Sequence, residues 1–419
     1  MARAGSLLIY APVPLYRDGQ GDFLLEDQAC NGLRLWVEHF DRLVVVMPVE
    51  TGRPPPTWVP LSQVGPALDR IDFVTLPAAW SPLRFLRALP AARRSLRAAM
   101  ARADRLGFAL GGLVGDWGAV GAWEAARAGR PFFVWTDRVE SEVTRLAART
   151  DPRWRRRLKA RLTWRAMAAV ERALVRRADL GLFHGKETFD HYAPDARKAF
   201  VVHDIHIRPA DRISAAALAD KRAALAHGPL RIVYAGRAEP MKGAMDWVET
   251  LLAALDRGID LRGVWLGDGS ELARMRARVA AAGAADRIAL PGHVADRGRL
   301  FAELRAAQVF LFCHRTPESP RCLIEALASG TPIVGYDGAF AREVAGPDGG
   351  RFVPRGAIGA LAAVLAELAA DRAALAALVD GAAAAGATFE DAAVFRHRSE
   401  LIIAHLPGPQ PAGGQGAQG

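Results

Sequence analysis

The stretch LRIVYAGRAEPMKG, residues 230–243, changes character three times. Residues 230–235 form a short apolar run that reads as a buried strand ending at Ala235. Gly236 opens a turn, Arg237 and Lys242 stand five residues apart in the loop, and helix-periodic sequence follows Gly243. A diphosphate calls for this arrangement: backbone N–H groups at a helix mouth and two cations arriving from different directions. The pattern lacks the G-K-[ST] ending of a Walker loop and the G-x-G-x-x-G of a dinucleotide turn. Lysine adds weight, since Lys159, Lys186, Lys198, Lys221 and Lys242 are the only lysines among 55 basic residues. This chain otherwise writes positive charge as Arg.

The same strand–turn–helix grammar repeats outward in both directions. Strands are expected at 6–11, 43–48, 71–76, 111–115, 131–135, 179–183 and 200–202, then at 230–235, 262–267, 287–291, 308–313, 332–336 and 351–354. Longer Ala- and Arg-rich helical segments separate them. Such alternation reads as parallel sheets covered on both faces, and 419 residues exceed what one core usually supports. The expected fold class is therefore α/β with two Rossmann-like domains. An N-terminal domain spans 1–205, a linker 206–229 and a C-terminal domain 230–388; a final helix at 389–406 packs back on the first domain. The tail 407–419 is too poor in apolar residues to pack.

A second motif is HRTPESPRCLIEALASGTPIVGYD, residues 314–337. Ser319 is expected as N-cap with Pro320 at the first helical position, and Gly330 as the stop. Helical side chains tilt toward the N-terminus, so Glu325 leans back toward the mouth where Glu318 stands. The two carboxylates can accept from sugar hydroxyls while free N–H groups meet an anion. Ser319, Arg321 and Cys322 sit at that mouth. Between the motifs lie GVWLGDGSELARM (263–275, with Gly267 in the turn) and RIALPGHV (287–294). All four fall at C-terminal ends of expected parallel strands, where open α/β sheets bind ligands.

The net charge of +10 and pI of about 10.1 follow from an Arg-rich, Ala-rich composition and favour no partner by themselves; no nucleic-acid motif accompanies them. Cys30, Cys313 and Cys322 make no disulfide framework and fit a reducing compartment. No zinc spacing joins Cys313, His314 and Cys322, so no metal is expected. Pro12, Pro14 and Arg17 cut short the apolar run at Leu7, which reads as a strand rather than a signal peptide. A cytoplasmic protein is expected. Residues 153–177 form a basic amphipathic helix with Trp154, Leu158, Leu162, Val170 and Leu174 on one stripe. It reads as a domain helix with that stripe buried, or as a helix resting on an anionic membrane, at the inner face, near a lipid-linked acceptor.

The ordered series GR…KG, LGDGS, RIALPGHV and PES…EALASGTPIVGYD resembles the nucleotide-sugar-binding domain of the family-4 retaining glycosyltransferases of GT-B architecture. That resemblance implies two facing domains and no cofactor beyond a nucleoside-diphosphate sugar. It implies Arg237 and Lys242 on the diphosphate, Glu325 on the ribose, Glu318 on the transferred sugar and backbone at His293-Val294 on the base. Gly236 and Gly267 would complete the donor turns, and Gly19 and Gly21 would let the first loop approach donor and acceptor closely. The chain departs from the family twice. Six rather than seven residues separate Glu318 from Glu325, and the position eight before Glu325 is Pro317. After 131–135 the chain has Thr136-Asp137-Arg138-Val139-Glu140 where the family often has His, leaving Asp137 or Glu140 for the acceptor side. The implied activity is sugar transfer to a glycan or lipid-linked hydroxyl in polysaccharide or glycolipid synthesis. No DxD motif stands near the phosphate loop, so the two cations are expected to replace a divalent ion. A nucleotide-sugar 2-epimerase of the same architecture and an inactive sugar-nucleotide-binding partner remain open.

Overall fold

The computed structural model describes residues 4–408 apart from 152 and 317. Expectations about the tail from 409 onward, and about Pro317, lie outside the described residues. The chain divides into two compact units, 1–206 with 392–419 and 207–391.

The first unit contains β1 (Ser6–Tyr10), β2 (Tyr16–Arg17), β3 (Phe23–Glu26), α1 (Asp27–His39), β4 (Arg42–Val49), β5 (Trp58–Pro60), β6 (Ile71–Pro77), α2 (Pro82–Met100), β7 (Arg105–Ala109) and α3 (Trp117–Arg127). It continues through β8 (Phe132–Thr136), α4 (Glu140–Thr150), α5 (Trp154–Arg177), β9 (Leu180–His184), α6 (Gly185–Tyr192) and β10 (Ala199–Val202). Seven strands form a parallel sheet in the order β10-β9-β8-β7-β1-β4-β6. Successive side chains of a strand point to opposite faces. Leu8, Val44 and Phe108 accordingly pack with Leu96, Trp117 and Leu174, whereas Leu7, Leu43 and Val45 pack with Leu33 and Trp36. Both faces are covered, which is why these strands read as continuous apolar runs.

The second unit holds α7 (Ala215–Ala224), β11 (Leu230–Ala235), α8 (Ala244–Leu255), β12 (Leu261–Leu266), α9 (Leu272–Ala281), β13 (Ile288–Gly292) and α10 (Arg297–Ala306). β14 (Val309–Phe312), α11 (Arg321–Ala328), β15 (Ile333–Tyr336), α12 (Ala339–Ala345), β16 (Gly350–Val353), α13 (Ile358–Ala370) and α14 (Arg372–Gly386) complete it. Its six parallel strands run β13-β12-β11-β14-β15-β16, the doubly wound order whose topological switch point lies between β11 and β14. The last helix, α15 (Asp391–His405), sends Phe395 and Ile402 into the core around Leu7 and Trp36 of the first unit. There Arg398 meets Asp204 at 3.1 Å.

Several local expectations are corrected. The strand expected at 111–115 is a loop, and the strand is β7 upstream. Gly107 is what permits it: a Cβ there would stand 2.1 Å from the Phe133 ring. The first helix begins only at Asp27, because Phe23–Glu26 pairs antiparallel with Tyr16-Arg17 and Trp58–Pro60. The expected linker 206–229 is not a separate segment: from 207 onward it belongs to the second unit, where Ser214 caps α7 and Lys221 bonds Ser329 and Thr331. On α5 the stripe Trp154, Leu158 and Leu162 is exposed, at 62%, 48% and 73%. The helix rests instead on Ala160, Trp164, Met167 and Glu171, whose carboxylate accepts from Ser141. Val170 and Leu174, at the other end of the expected stripe, do pack inward.

Candidate functional site

The loops at the C-terminal ends of β11, β12 and β14 are locked together, and glycines make the locking possible. Gly236 donates its N–H to Leu266 O, and Gly267 donates to Gly292 O. A Cβ on Gly267 would lie 2.0 Å from Gly236 O, and one on Gly269 would lie 2.4 Å from Ala238 O. Glu239 accepts from the Ser270 hydroxyl at 2.6 Å. The LGDGS motif is thus the backing that holds the 236–243 loop in place. Gly243, at φ +66°, turns that loop into α8, and its Cα faces Cys313 O so closely that a Cβ would stand 1.8 Å away.

That contact delivers Lys242 to the neighbouring loop. Its Nζ lies 2.6 Å from Glu318 Oε2, with the two side chains 13% and 6% exposed. Glu318 Oε1 accepts from Thr316 at 3.3 Å and stands 2.8 Å from His314 Nδ1, while His314 Nε2 meets the Tyr234 hydroxyl at 2.6 Å. The donor of the Tyr234–His314 hydrogen bond is set by the imidazole tautomer. Burial and the Lys242 charge push His314 down to about 4, keeping the ring neutral. Burial alone would raise the Glu318 carboxyl, but His314 and Lys242 outweigh it and hold it well below the usual carboxylate range. Arg237, after β11, is exposed and has no ion pair or side-chain hydrogen bond among the described residues.

α11 starts at Arg321 with Pro320 as N-cap, one residue later than expected, so Ser319 is not the capping residue. Proline needs no N–H partner there. Ser319 is buried beside Glu318. Cys322 lies among Lys242, Glu325 and Glu318, and burial raises its thiol to about 12. Glu325 is 13% exposed and accepts no side-chain hydrogen bond among the described residues; it forms an ion pair with Arg297, 3.7 Å away and also paired with Asp211 at 2.8 Å. Burial raises its carboxyl, against the pull of Arg297 and Arg321. His293 is exposed and Val294 half-buried just past Gly292 (φ +91°), whose carbonyl Gly267 holds.

The structure therefore gathers Lys242, Glu318, Cys322 and Glu325, with Arg237, Gly236 and Gly267 on adjoining turns, at the switch point. Gly19, Gly21 and Asp137 belong to the first unit. Gly21 (φ +93°) lies in the β2–β3 turn with its carbonyl bound by Arg17, and Gly19 is exposed beside it. Asp137 is exposed after β8, while Glu140 pairs with Arg138 at 2.5 Å.

Three participants escaped sequence reasoning. His314 and Tyr234, which position Glu318, are eighty residues apart. In the sequence His314 reads only against a zinc spacing, whereas in the structure it stands between Glu318 and Tyr234. Buried Asp246 on α8 accepts from Arg315 Nε at 2.9 Å and Tyr336 Oη at 3.0 Å, anchoring the loop that carries Glu318. The only signal available was an acid inside an apolar helix start, MDW, next to an arginine after β14.

Residues 218–384 match the sequence family described as glycosyl transferases group 1. The chain is a glycosyltransferase. It has the GT-B fold. HepE from Anabaena, solved in complex with UDP, superposes with a TM-score of 0.66 at 15% identity, covering 96% of this chain and 100% of that one. Sucrose-phosphate synthase from Thermosynechococcus elongatus gives 0.67 at 17%, covering 96% and 99%. WaaG, a glycosyltransferase involved in lipopolysaccharide biosynthesis, gives 0.64 at 12%, covering 95% and 99%. No curated protein sequence matches the chain. The matched segment contains the second-unit residues gathered at the switch point, from Gly236 to Glu325.

Proposed function

We propose that this glycosyltransferase moves a sugar from a nucleoside-diphosphate sugar to an acceptor hydroxyl, with retention at the anomeric carbon, in polysaccharide or glycolipid synthesis. The observation that carries the reading is the meeting of Lys242 with Glu318 at the switch point, on loops adjoining the unpaired Arg237. An ammonium has three donors, so Lys242 can keep Glu318 and still reach a phosphate oxygen. In the transfer, the bond from C1 to the leaving phosphate oxygen breaks and one from the acceptor oxygen to C1 forms. The acceptor proton passes to the leaving phosphate. Arg237 and Lys242 stabilise the negative charge growing on that phosphate, electrostatic work that is often the largest part of catalysis. Glu318, fixed by His314, accepts from a hydroxyl of the sugar. Glu325, a carboxylate with no hydrogen bond of its own, suits the ribose hydroxyls, and backbone at His293-Val294 the base. Asp137, exposed in the first unit, is assigned to the acceptor.

Thermal-shift screening against UDP, GDP and ADP, then their sugars, tests this reading, since a ligand of the folded state raises the melting temperature. Proton NMR of the product should show the donor's anomeric configuration. An inverted product refutes retention; a donor sugar epimerised without acceptor, or bound without turnover, refutes transfer.

A further inference from the structure

The large hydrophobic side chains that stand exposed among the described residues are Trp80, Leu83, Leu86, Trp123, Trp154, Leu158 and Leu162. All belong to one region of the first unit, on or beside α2, α3 and α5. Between those helices runs a groove of about 620 Å³ lined by Phe85 and Leu89, Val120 and Trp123, and Ala169 and Ala173. Trp123 itself lines the groove, and Leu86 and Leu162 stand on the same helices as the lining residues Leu89 and Ala169. Leu83, Leu86 and Leu89 follow at three-residue steps on α2. Leu162, Ala169 and Ala173 are seven and eleven residues apart, which places them on one line of a helix with about 3.6 residues per turn. Isolated exposed leucines are ordinary; a continuous apolar strip that opens into a groove marks an interaction surface.

Charge identifies the partner. Residues 82–100 and 153–170 carry twelve Arg and Lys side chains and no Asp or Glu. Arg93 and Arg97 are neutralised by Glu124. Arg84, Arg87, Arg94, Arg155, Arg156 and Lys159 have no ion pair among the described residues. Long aliphatic and indole side chains interleaved with unpaired cations on a helix of about 36 Å match the boundary between anionic headgroups and acyl chains. The face of a second copy would carry the same sign of charge and be repelled. Four of the seven exposed side chains are leucines, which offer nucleic acid no stacking platform and suit an acyl boundary.

We propose that the α2–α5 face docks on an anionic phospholipid surface, with Leu83, Leu86, Leu158 and Leu162 entering the acyl boundary. This inference is independent of the donor site, so either can fail alone. Cosedimentation with vesicles of phosphatidylcholine alone, and of phosphatidylcholine mixed with phosphatidylglycerol, tests it on the full chain. The wild type should pellet with the mixed vesicles and remain in solution with the neutral ones. Each cation near an anionic surface is worth about a five-fold gain in partitioning, so Arg155→Gln/Arg156→Gln/Lys159→Gln should weaken binding on the order of a hundred-fold, and less at high salt. Leu158→Ser/Leu162→Ser should lose binding at every salt concentration. All five positions are exposed, so both variants should keep the wild-type melting temperature and nucleotide binding. The proposal is overturned if the wild type ignores phosphatidylglycerol or either variant pellets like the wild type. It is equally overturned if the leucine variant's altered property is self-association measured without lipid.

Discussion

Replacing Lys242 with Met should destabilise the second unit in the absence of any ligand. The Nζ–Oε2 contact is 2.6 Å, and both side chains are nearly withdrawn from water. Removing one partner of such a pair strands the other charge, at about 3–5 kcal/mol for full burial. Thr316 and His314 remain beside Glu318, so about 3 kcal/mol is the expected loss. At about 2–4 °C per kcal/mol for a unit of this size, melting should fall by about 6–12 °C. Glu318→Gln together with Lys242→Met should cost less than the two single changes added, by about 2 kcal/mol, as read by urea denaturation. A pH signature accompanies the cycle. His314, held at about 4 against 6.5 when unfolded, makes wild-type stability fall as pH drops through that window. Lys242 helps hold it down, so in Lys242→Met the His314 pKa rises and the acid loss becomes shallower. Energies additive within about 0.5 kcal/mol, or an unchanged pH slope, would refute the pairing.

Gly243→Ala should cost about 3 kcal/mol and abolish nucleotide binding, because the left-handed backbone and the Cys313 carbonyl both oppose a Cβ; melting and calorimetry check both. Burial pushes Lys221 down to about 7 from 10.5, so the unfolded chain holds the extra proton between those values. Wild-type stability should therefore rise with pH across that window, by roughly 5 kcal/mol at most, and Lys221→Met should lack the rise in denaturation curves. Glu325→Gln should raise KM for the nucleotide sugar about 10-fold to 100-fold with no loss of melting temperature, since its carboxylate has no hydrogen bond to lose.

Most of the fold was legible because parallel strands buried on both faces advertise themselves as apolar runs. The failures have local causes. At 105–115 two apolar stretches compete, and the choice depends on Phe133 lying over Gly107, a contact from another strand. Phe23–Glu26 resembles the start of a helix until its partners, Tyr16 and Trp58, are known. On α5 periodicity revealed an apolar stripe but not which side the domain lies on: Trp154, Leu158 and Leu162 face outward, whereas Val170 and Leu174 pack inward. Within the proposed donor site, local sequence singles out Arg237 and Lys242 after β11, Glu318 after β14 and Glu325 on α11, each set by its own strand–turn–helix segment. It does not single out partners assembled across the sheet. Tyr234, His314 and Asp246 acquire their roles only when β11, β14 and α8 meet.

Calorimetric titration of UDP, GDP and ADP into the wild type and Arg237→Ala tests the donor site most directly, because this exposed side chain supports nothing else in the unit. One nucleotide should bind the wild type and bind the variant about 10-fold to 100-fold more weakly, with melting unchanged. Equal affinity in the two proteins, or heat from none of the three, would contradict a diphosphate site at the β11–β14 switch point.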